Sequence, residues 1–341
     1  MATIPAVAQA WRLPVDRSTW RTHKSLELRQ VQISPPKNGE ALVRLRAAAL
    51  NYRDILISHE KYPGIQERST EPDGQGLILT SDGAGEIVAL GEEVTEWKKG
   101  DRAHSLFYET WFDGPYEPKY MKRALGARSS QLKAFSRSLP TSPTKKRPLF
   151  PVQRLQPITD KSTMLVLGSG GVSVFGAQLC KATGARVIAT TSNQAKAERY
   201  KALGVDKVMN YREFPEWPTK VKEMTGAKGL SRCSRLVSGQ GTLVHSVKSV
   251  KANGHVHVIG AVAGSIPNGS LAELGEAIVS GHMVGSKAMC ERFDAFITQH
   301  KIKPVIDRVF GWNEVIEALD YQLTGGHFGK IVVKIDVGLS L

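Results

Sequence analysis

The sequence predicts an α/β fold in which a mostly β domain accompanies a doubly wound parallel sheet. Residues 41–91 contain short apolar strands separated by glycine turns, a texture typical of a small β domain. From residue 163 onward, strands alternate with helices, the order that produces a parallel sheet. A length of 341 residues leaves room for about two such domains.

The individual elements follow from periodicity and from glycine punctuation. Predicted strands cover 41–49, 81–91, 164–167, 186–190, 207–209 and 255–260, and a last strand follows a turn at His327. Predicted helices cover 51–58, 172–183, 194–203 and 313–323. Gly184 and Gly204 stand where C-caps would end the second and third helices.

The net charge of +14 raises a nucleic-acid hypothesis, but its distribution argues against one. Residues 128–157 contain seven Lys/Arg and no acid, and residues 228–238 contain three more, again without an acid. The rest of the chain is nearly balanced. Lys145-Lys146-Arg147-Pro148 could act as an import signal, yet no nucleic-acid motif accompanies it. We therefore expect no nucleic-acid partner.

Cysteine usage and hydropathy indicate a cytoplasmic protein. Cys180, Cys233 and Cys290 are far apart and form no CxxC pattern, so neither a disulfide framework nor a structural zinc site is predicted. This suits a reducing compartment. No apolar run reaches 18 residues, and the first residues lack a basic head, so we expect neither a membrane span nor a secretory signal.

A glycine turn between the strand at 164–167 and the next helix predicts dinucleotide binding. Gly168 permits the tight turn, Gly170 and Gly171 let backbone approach a pyrophosphate, and Ser173 is small enough for close packing of helix on strand. The helix N-terminus then offers free N–H groups to the anion. The strand before and the helix after give the motif its confirming context.

The end of the second strand favours NADPH over NADH. NAD sites place an acid there for the ribose hydroxyls, whereas residues 189–193 read Ala-Thr-Thr-Ser-Asn. Lys196 and Arg199 follow just inside the next helix and could meet a 2′-phosphate. The alternative is that both are solvated surface charges.

Several motifs together carry a resemblance to a known family. They are Asn51-Tyr52-Arg53-Asp54, residues 81–88 (SDGAGEIV), Gly100-Asp101-Arg102, the glycine turn, residues 202–206 (ALGVD), Asn210-Tyr211-Arg212 and His327-Phe328-Gly329-Lys330. Because these motifs occur in this order and at suitable spacing, the chain resembles the quinone oxidoreductase and zinc-free alcohol-dehydrogenase-like branch of the medium-chain dehydrogenase/reductases. The resemblance implies a GroES-like domain over 1–162, a Rossmann domain over 163–295, and a return to the first domain over 296–341.

The resemblance also implies an NADPH-dependent oxidoreductase that reduces a small-molecule enone, quinone or related carbonyl compound, in a homodimer. By position, Ser192, Lys196 and Tyr211 would hold the 2′-phosphate, and Val172 and Ser173 would touch the pyrophosphate. The backbone of Gly260, Ala261, Gly285 and Ser286 would line the nicotinamide. Two alternatives stay open: an alcohol dehydrogenase, and a coenzyme-binding protein without turnover.

The resemblance places Asn51, Tyr52 and Asp54 at the substrate cleft without a metal. Zinc-using relatives have a Cys near position 51 and Gly-His-Glu where this chain reads Thr80-Ser81-Asp82. Without that thiolate and imidazole, this chain has too few ligands for a zinc ion. Tyr52 is a candidate hydrogen-bond donor to a carbonyl, or else a buried aromatic with a satisfied hydroxyl. Asp54 either faces the cleft or, as the preferred alternative, caps its helix.

Residues 128–160 depart from the family pattern, and a shifted reading frame accounts for the departure. If the last base of each codon is read with the first two of the next, residues 140–157 can encode PDLSYEEAATLPCAAVTA, which matches the segment that the family carries there. Residues 135–138 can likewise encode VFPE, and residues 232–235 in the other frame give DVVD.

We predict that the transcript carries the family segment in a frame different from the one translated here. Sequencing of the messenger RNA across residues 128–160 checks this. A message that encodes residues 143–150 as Pro-Thr-Lys-Lys-Arg-Pro-Leu-Phe in frame with both flanks contradicts the hypothesis.

Overall fold

A computed structural model describes residues 4–62, 70–71, 73–125, 157–235, 242–259, 277–282 and 284–335. In these ranges the predicted fold class is confirmed: a parallel six-stranded sheet is accompanied by a largely antiparallel five-stranded sheet. Residues 128–156 of the anomalous segment 128–160, with the basic run at Lys145, lie outside the described residues, as do Gly260 and Ala261. No helix within these ranges is long and apolar enough to cross a bilayer.

The first part of the chain builds most of the five-stranded sheet. Its elements are β1 (Val7–Arg12), β2 (Glu27–Gln32), β3 (Ala41–Ala49), α1 (Tyr52–Ser58), β4 (Asp82–Leu90) and β5 (Arg102–His104). The first two strands pair with each other, whereas β3, β4 and β5 are successive antiparallel neighbours. The predicted strand at 41–49 and the short helix after it are therefore confirmed.

The central part forms the parallel sheet with helices between its strands. Its elements are β6 (Thr163–Val166), α2 (Gly171–Ala182), β7 (Arg186–Thr191), α3 (Gln194–Ala202), β8 (Lys207–Asn210), α4 (Trp217–Met224), β9 (Leu230–Arg235), α5 (Thr242–Ser249), β10 (Val250–Val258) and β11 (Ile278–Gly281). The strand order is β11-β10-β9-β6-β7-β8, the arrangement of a doubly wound sheet. The sequence did not predict β9, β11, α4 or α5.

Successive residues of β6 supply the two opposite faces of this sheet. Met164 and Val166 pack in a cluster with α2 and α3, while Leu165 packs with Trp217 and Val221 of α4 on the other side. Because side chains alternate along a strand, an unbroken apolar run buries both faces. That is why the run at 164–167 and the glycine beyond it could be recognised in the sequence.

The central strand β9 departs from this apolar pattern. It reads Leu-Ser-Arg-Cys-Ser-Arg, and Arg232 in its middle is only 4% exposed. Burial lowers the pKa of Arg232, since removal from water disfavours the charged guanidinium. A charge desolvated in a sheet centre opposes folding, so this strand is a weak point of the domain.

The last part of the chain returns to the first sheet. It comprises α6 (Lys287–Gln299), β12 (Ile306–Phe310), α7 (Val315–Leu323) and β13 (Lys330–Lys334). The order of the five-stranded sheet is β12-β13-β3-β4-β5, so β13 pairs with β3 across nearly the whole length of the sequence. This return was predicted by the family resemblance; the exact domain boundaries stay predictions.

Residues 325–330, which we call the clasp, join this sheet to the glycine turn of the other. The Gly329 N–H donates to the Ser169 carbonyl at 3.0 Å, and the Lys330 N–H donates to the Val305 carbonyl at 2.9 Å. Gly329 has φ +99°, and a Cβ there would lie 2.3 Å from the Val305 oxygen. Only glycine fits this approach without displacing backbone.

We predict that Gly329→Ala lowers the free energy of unfolding by about 3 kcal/mol or more, because backbone strain adds to a clash. Gly325→Ala is the matched control: its φ is +62°, but nothing lies within 4 Å of its Cβ position. It should cost only about 1–2 kcal/mol. Urea unfolding followed by tryptophan fluorescence measures both, and equal losses would contradict the role of the clasp.

Candidate active site

The glycine turn has the geometry of an anion site at a helix N-terminus. Gly168 adopts φ +78°, and Gly170 precedes the first turn of α2 with no side chain capping it. The first N–H groups of α2 are therefore left for a ligand. A Cβ on Gly171 would lie 2.4 Å from Cδ of Lys330, so this glycine also admits the clasp.

Side chains beneath the turn hold its backbone in place. The Gly168 N–H donates to Thr190 Oγ1 at 3.1 Å, and the Tyr200 hydroxyl donates to the Gly168 carbonyl at 2.6 Å. The Ser173 hydroxyl donates to the Leu167 carbonyl at 2.6 Å. These bonds fix the strand-to-helix turn before any coenzyme arrives.

The predicted contact of Ser173 with the pyrophosphate stays a prediction, and only the Ser173 backbone N–H at the start of α2 is placed to make it. Ser173 is 2% exposed, and its hydroxyl is committed to the strand below, which is the packing role that its small size also indicated. Val172, at the same helix start, is 46% exposed and remains available at the turn.

The predicted 2′-phosphate residues surround one corner beyond β7. Lys196 is 8% exposed, and its Nζ donates to the Gly325 carbonyl of the clasp at 2.7 Å. Burial lowers its pKa, and the carboxylate of Asp307 opposes that shift. Ser192 is half-buried and Tyr211 is 41% exposed, so both can still meet a ligand.

Arg199 is an exposed residue, but its guanidinium is engaged by other protein groups. Its Nη1 lies 2.5 Å from Oδ1 of Asp307, whose side chain is 8% exposed, and its guanidinium stacks over the ring of Phe328 at 4.4 Å. It braces the clasp against α3. Among the lysines and the arginine of α3, Lys196 is therefore the one whose remaining N–H donors can bind a phosphate.

His327 is a coenzyme-site candidate that the sequence analysis did not assign. Its Nε2 lies 3.9 Å from where a Cβ on Gly170 would stand, and its buried Nδ1 has no partner in the described residues. Burial, and then the nearby Lys196 ammonium, lower the pKa of His327 and favour the neutral ring. No local pattern could reveal this, because His327 approaches the turn from the far end of the sequence.

The nicotinamide end is only partly described. Gly285 is exposed, with its backbone accessible before α6. Ser286 is fully buried, and its Oγ accepts from the Met289 N–H at 3.3 Å as the N-cap of α6. Only backbone groups at these two positions can face a ligand, as the resemblance implies.

On the substrate side, Asn51 is held in one orientation by two charged side chains. Its Oδ1 accepts from Lys330 Nζ at 2.7 Å, and its Nδ2 donates to Asp82 Oδ2 at 2.8 Å. Lys330 Nζ also donates to the Leu50 carbonyl at 3.0 Å. The clasp therefore connects the coenzyme turn to the first residue of the predicted substrate motif.

The placement of Asp54 in the substrate cleft is wrong, and the capping alternative is confirmed. Asp54 is fully buried, and its Oδ2 accepts from the Asn51 N–H at 2.8 Å as part of the cap of α1. Its Oδ1 has no partner in the described residues. Because burial destabilises the charged form, the pKa of Asp54 rises to about 7.

Tyr52 keeps the position that a substrate contact requires. It opens the first turn of α1 and is 40% exposed, so it is not the buried aromatic of the alternative interpretation. Its hydroxyl makes no hydrogen bond to the described residues, and it can donate to a ligand.

The residues of this cleft do not fit a catalytic zinc ion. Where zinc-using relatives place sulfur and imidazole, this chain has Asn51 and Ser81. The Asp82 carboxylate is already bonded to the Asn51 amide and lies 3.6 Å from the Lys330 ammonium, which cannot ligate a cation. A charged amine at this point would repel a metal.

Comparison with known proteins agrees with this architecture. The family model "Alcohol dehydrogenase GroES-like domain" matches residues 37–116, and the model "Zinc-binding dehydrogenase" matches residues 171–299. A zinc-type alcohol dehydrogenase-like protein of Schizosaccharomyces pombe is 32% identical over 87% of this chain and 91% of its own length. A quinone oxidoreductase of Pseudomonas aeruginosa is 28% identical over 84% and 83%.

A solved structure shows the same fold over the full length. A candidate alcohol dehydrogenase from Sinorhizobium meliloti 1021 superposes with a TM-score of 0.78 at 28% identity, covering 98% of this chain and 100% of its own. Both the GroES-like part and the Rossmann part are therefore shared with a known protein.

We predict that Asp54→Asn becomes less destabilising, relative to wild type, as pH rises from about 4 to about 7. Burial raises the pKa of the folded carboxyl from its ordinary value of 3.8 to about 7. Its favourable contribution is present below pH 4 and is lost as pH rises through 7. The asparagine keeps an acceptor for the cap and cannot ionise. Denaturant unfolding at pH 5 and pH 8 measures the difference; a pH-independent gap between the two proteins would contradict the raised pKa.

Proposed function

The chain belongs to the medium-chain dehydrogenase/reductase family, and we propose that it is an NADPH-dependent reductase of enones, quinones or related carbonyl compounds that works without zinc. It is an NAD(P)-dependent oxidoreductase, and its relatives include a zinc-type alcohol dehydrogenase-like protein and a quinone oxidoreductase. The observation that carries the proposal is the clasp, which brings the glycine turn beside the polar side chains of Asn51 and Asp82.

Preference for NADPH rests on the corner beyond β7. Within the described residues the Lys196 ammonium donates to one acceptor, the Gly325 carbonyl, so two of its donors are available to a 2′-phosphate. No acid stands at the end of β7 to take the ribose hydroxyls of NADH. Bringing a dianion to a desolvated ammonium gains more than the same contact in water.

The substrate side supplies hydrogen-bond donors in place of a metal. NADPH bound at the turn would supply a hydride. The exposed Tyr52 hydroxyl would donate to the carbonyl oxygen of the acceptor and stabilise the negative charge that develops there. Asn51, fixed by Lys330 and Asp82, would orient the acceptor.

A second candidate, alcohol dehydrogenase, is favoured by the names of two relatives. The cleft argues against the zinc-dependent form, because the Lys330 ammonium lies beside both Asn51 and Asp82. Coenzyme binding without turnover is a third outcome. For the intact protein we propose a small-molecule substrate, a homodimer and, from the dispersed cysteines, a cytoplasmic setting.

We predict that Lys196→Met weakens NADPH binding about 10- to 100-fold and leaves NADH binding unchanged, because a charged hydrogen bond to phosphate is lost. Fluorescence titration of both coenzymes gives the dissociation constants. Lys201→Met on the same helix is the control: Lys201 is exposed and pairs with Glu198. It should change neither constant.

The same proteins are then tested for turnover with a panel of enones, quinones and aldehydes. Oxidation of NADPH by an enone or quinone, insensitive to chelator, supports the reductase. Binding without oxidation of coenzyme by any acceptor contradicts it in favour of the non-catalytic alternative. Activity with alcohols that depends on added zinc favours the second candidate.

A further inference from the structure

A cluster of metal-ligand side chains lies away from the coenzyme turn, between β5 and α6. It contains His104 at the end of β5, and Cys290 and Asp294 on α6. One ligand atom from each residue lies within 4.8 Å of the other two, and His104 Nε2 is 3.2 Å from Asp294 Oδ2. None of these residues belongs to the site described above.

The arrangement has the spacing of a tetrahedral cation site. Cys290 and Asp294 are four residues apart, so they project from one face of α6 toward the histidine. Zinc binds sulfur at about 2.3 Å and nitrogen or oxygen at about 2.0–2.2 Å, which separates neighbouring ligand atoms by roughly 3.3–3.6 Å. The observed separation of nitrogen and oxygen is close to that range, and small side-chain rotations place the thiolate.

The second ring nitrogen of His104 provides an independent indication. Its Nδ1 lies 3.2 Å from the Ser105 carbonyl, an acceptor to which it can donate. This bond keeps a proton on Nδ1 and turns Nε2 toward Asp294, where a bound cation would replace the proton that Nε2 shares with the carboxylate. Metal-binding histidines are oriented by such a bond to a backbone carbonyl.

The elements that carry the ligands are already held against each other. The N–H groups of Lys287 and Ala288 donate to the carbonyls of Trp111 and Phe112, both at 2.9 Å. Met289 packs on the aromatic cluster around Tyr108. The ligands therefore come from a docked pair of elements, and a metal would require little rearrangement.

We propose that His104, Cys290 and Asp294 form a binding site for a thiophilic divalent cation such as Zn²⁺, which ties β5 of the first sheet to α6. Water completes the coordination, because the histidine and aspartate side chains are about half exposed. The site is structural: it fastens the segment after β5 to the helix that follows the coenzyme-binding sheet.

Titration of chelator-treated protein with Co²⁺ tests the site directly. We expect a thiolate-to-cobalt charge-transfer band at one equivalent, which Zn²⁺ abolishes by displacement. Cys290→Ser should remove the band. Glu291→Gln is the matched control, since this exposed neighbour on α6 pairs with Lys287 and lies outside the cluster. It should keep the band at full intensity.

Thermal unfolding supplies a second readout that does not depend on activity. At about a hundredfold excess over its dissociation constant, Zn²⁺ should raise Tm by about 5 °C in wild type and Glu291→Gln, but not in Cys290→Ser. Should Cys290→Ser fail to fold, His104→Asn must weaken Co²⁺ binding about tenfold or more. Absence of the band in wild type, or its persistence in Cys290→Ser, overturns the proposal.

Discussion

The contacts of Lys330 join the parallel sheet to the five-stranded sheet. Its aliphatic stem lies against Gly171 at the start of α2, and its ammonium group bonds to Leu50 and Asn51 of the other sheet. A charge with this many fixed acceptors is costly to move. Lys330 therefore fixes the position of the glycine turn relative to Asn51.

This constraint changes how the glycine motif is understood. Glycines in such a turn are normally explained by approach of the pyrophosphate. Here Gly171 is also required by a protein contact, because any side chain would meet the Lys330 stem. The same clasp satisfies Lys196 through Gly325 and brings His327 beside Gly170. The residues proposed to bind the coenzyme thus also take part in the contacts that join the two sheets.

The sequence predicted those parts of the fold that depend on local periodicity. The apolar run of β6, the glycine turn and the helices α2 and α3 have regular spacing and glycine ends, and all are present. Strand β9 was not predicted because its residues are mostly polar and lack the apolar run of a buried strand, although it lies at the sheet centre. The central sheet is thus predictable only where the apolar alternation survives.

The candidate site was predictable by residue type but not by orientation. Ser173 and Asp54 are short polar residues whose side chains can bond either a ligand or a nearby backbone group. Both are buried, and both form hydrogen bonds to backbone groups. The roles of His327 and Lys330 depend on contacts with residues more than a hundred positions away. Short-range patterns contain no information on such contacts.

The pairing of β13 with β3 has a consequence for the order of folding. The parallel sheet is built from residues 163–281, whereas the five-stranded sheet needs strands separated by nearly three hundred positions. Closing so long a loop is entropically slow. The parallel sheet should therefore form first. Until β13 pairs with β3, the glycine turn lacks its contacts with the clasp. During that interval the chain exposes an incomplete sheet edge, and chaperones would be needed most at this stage.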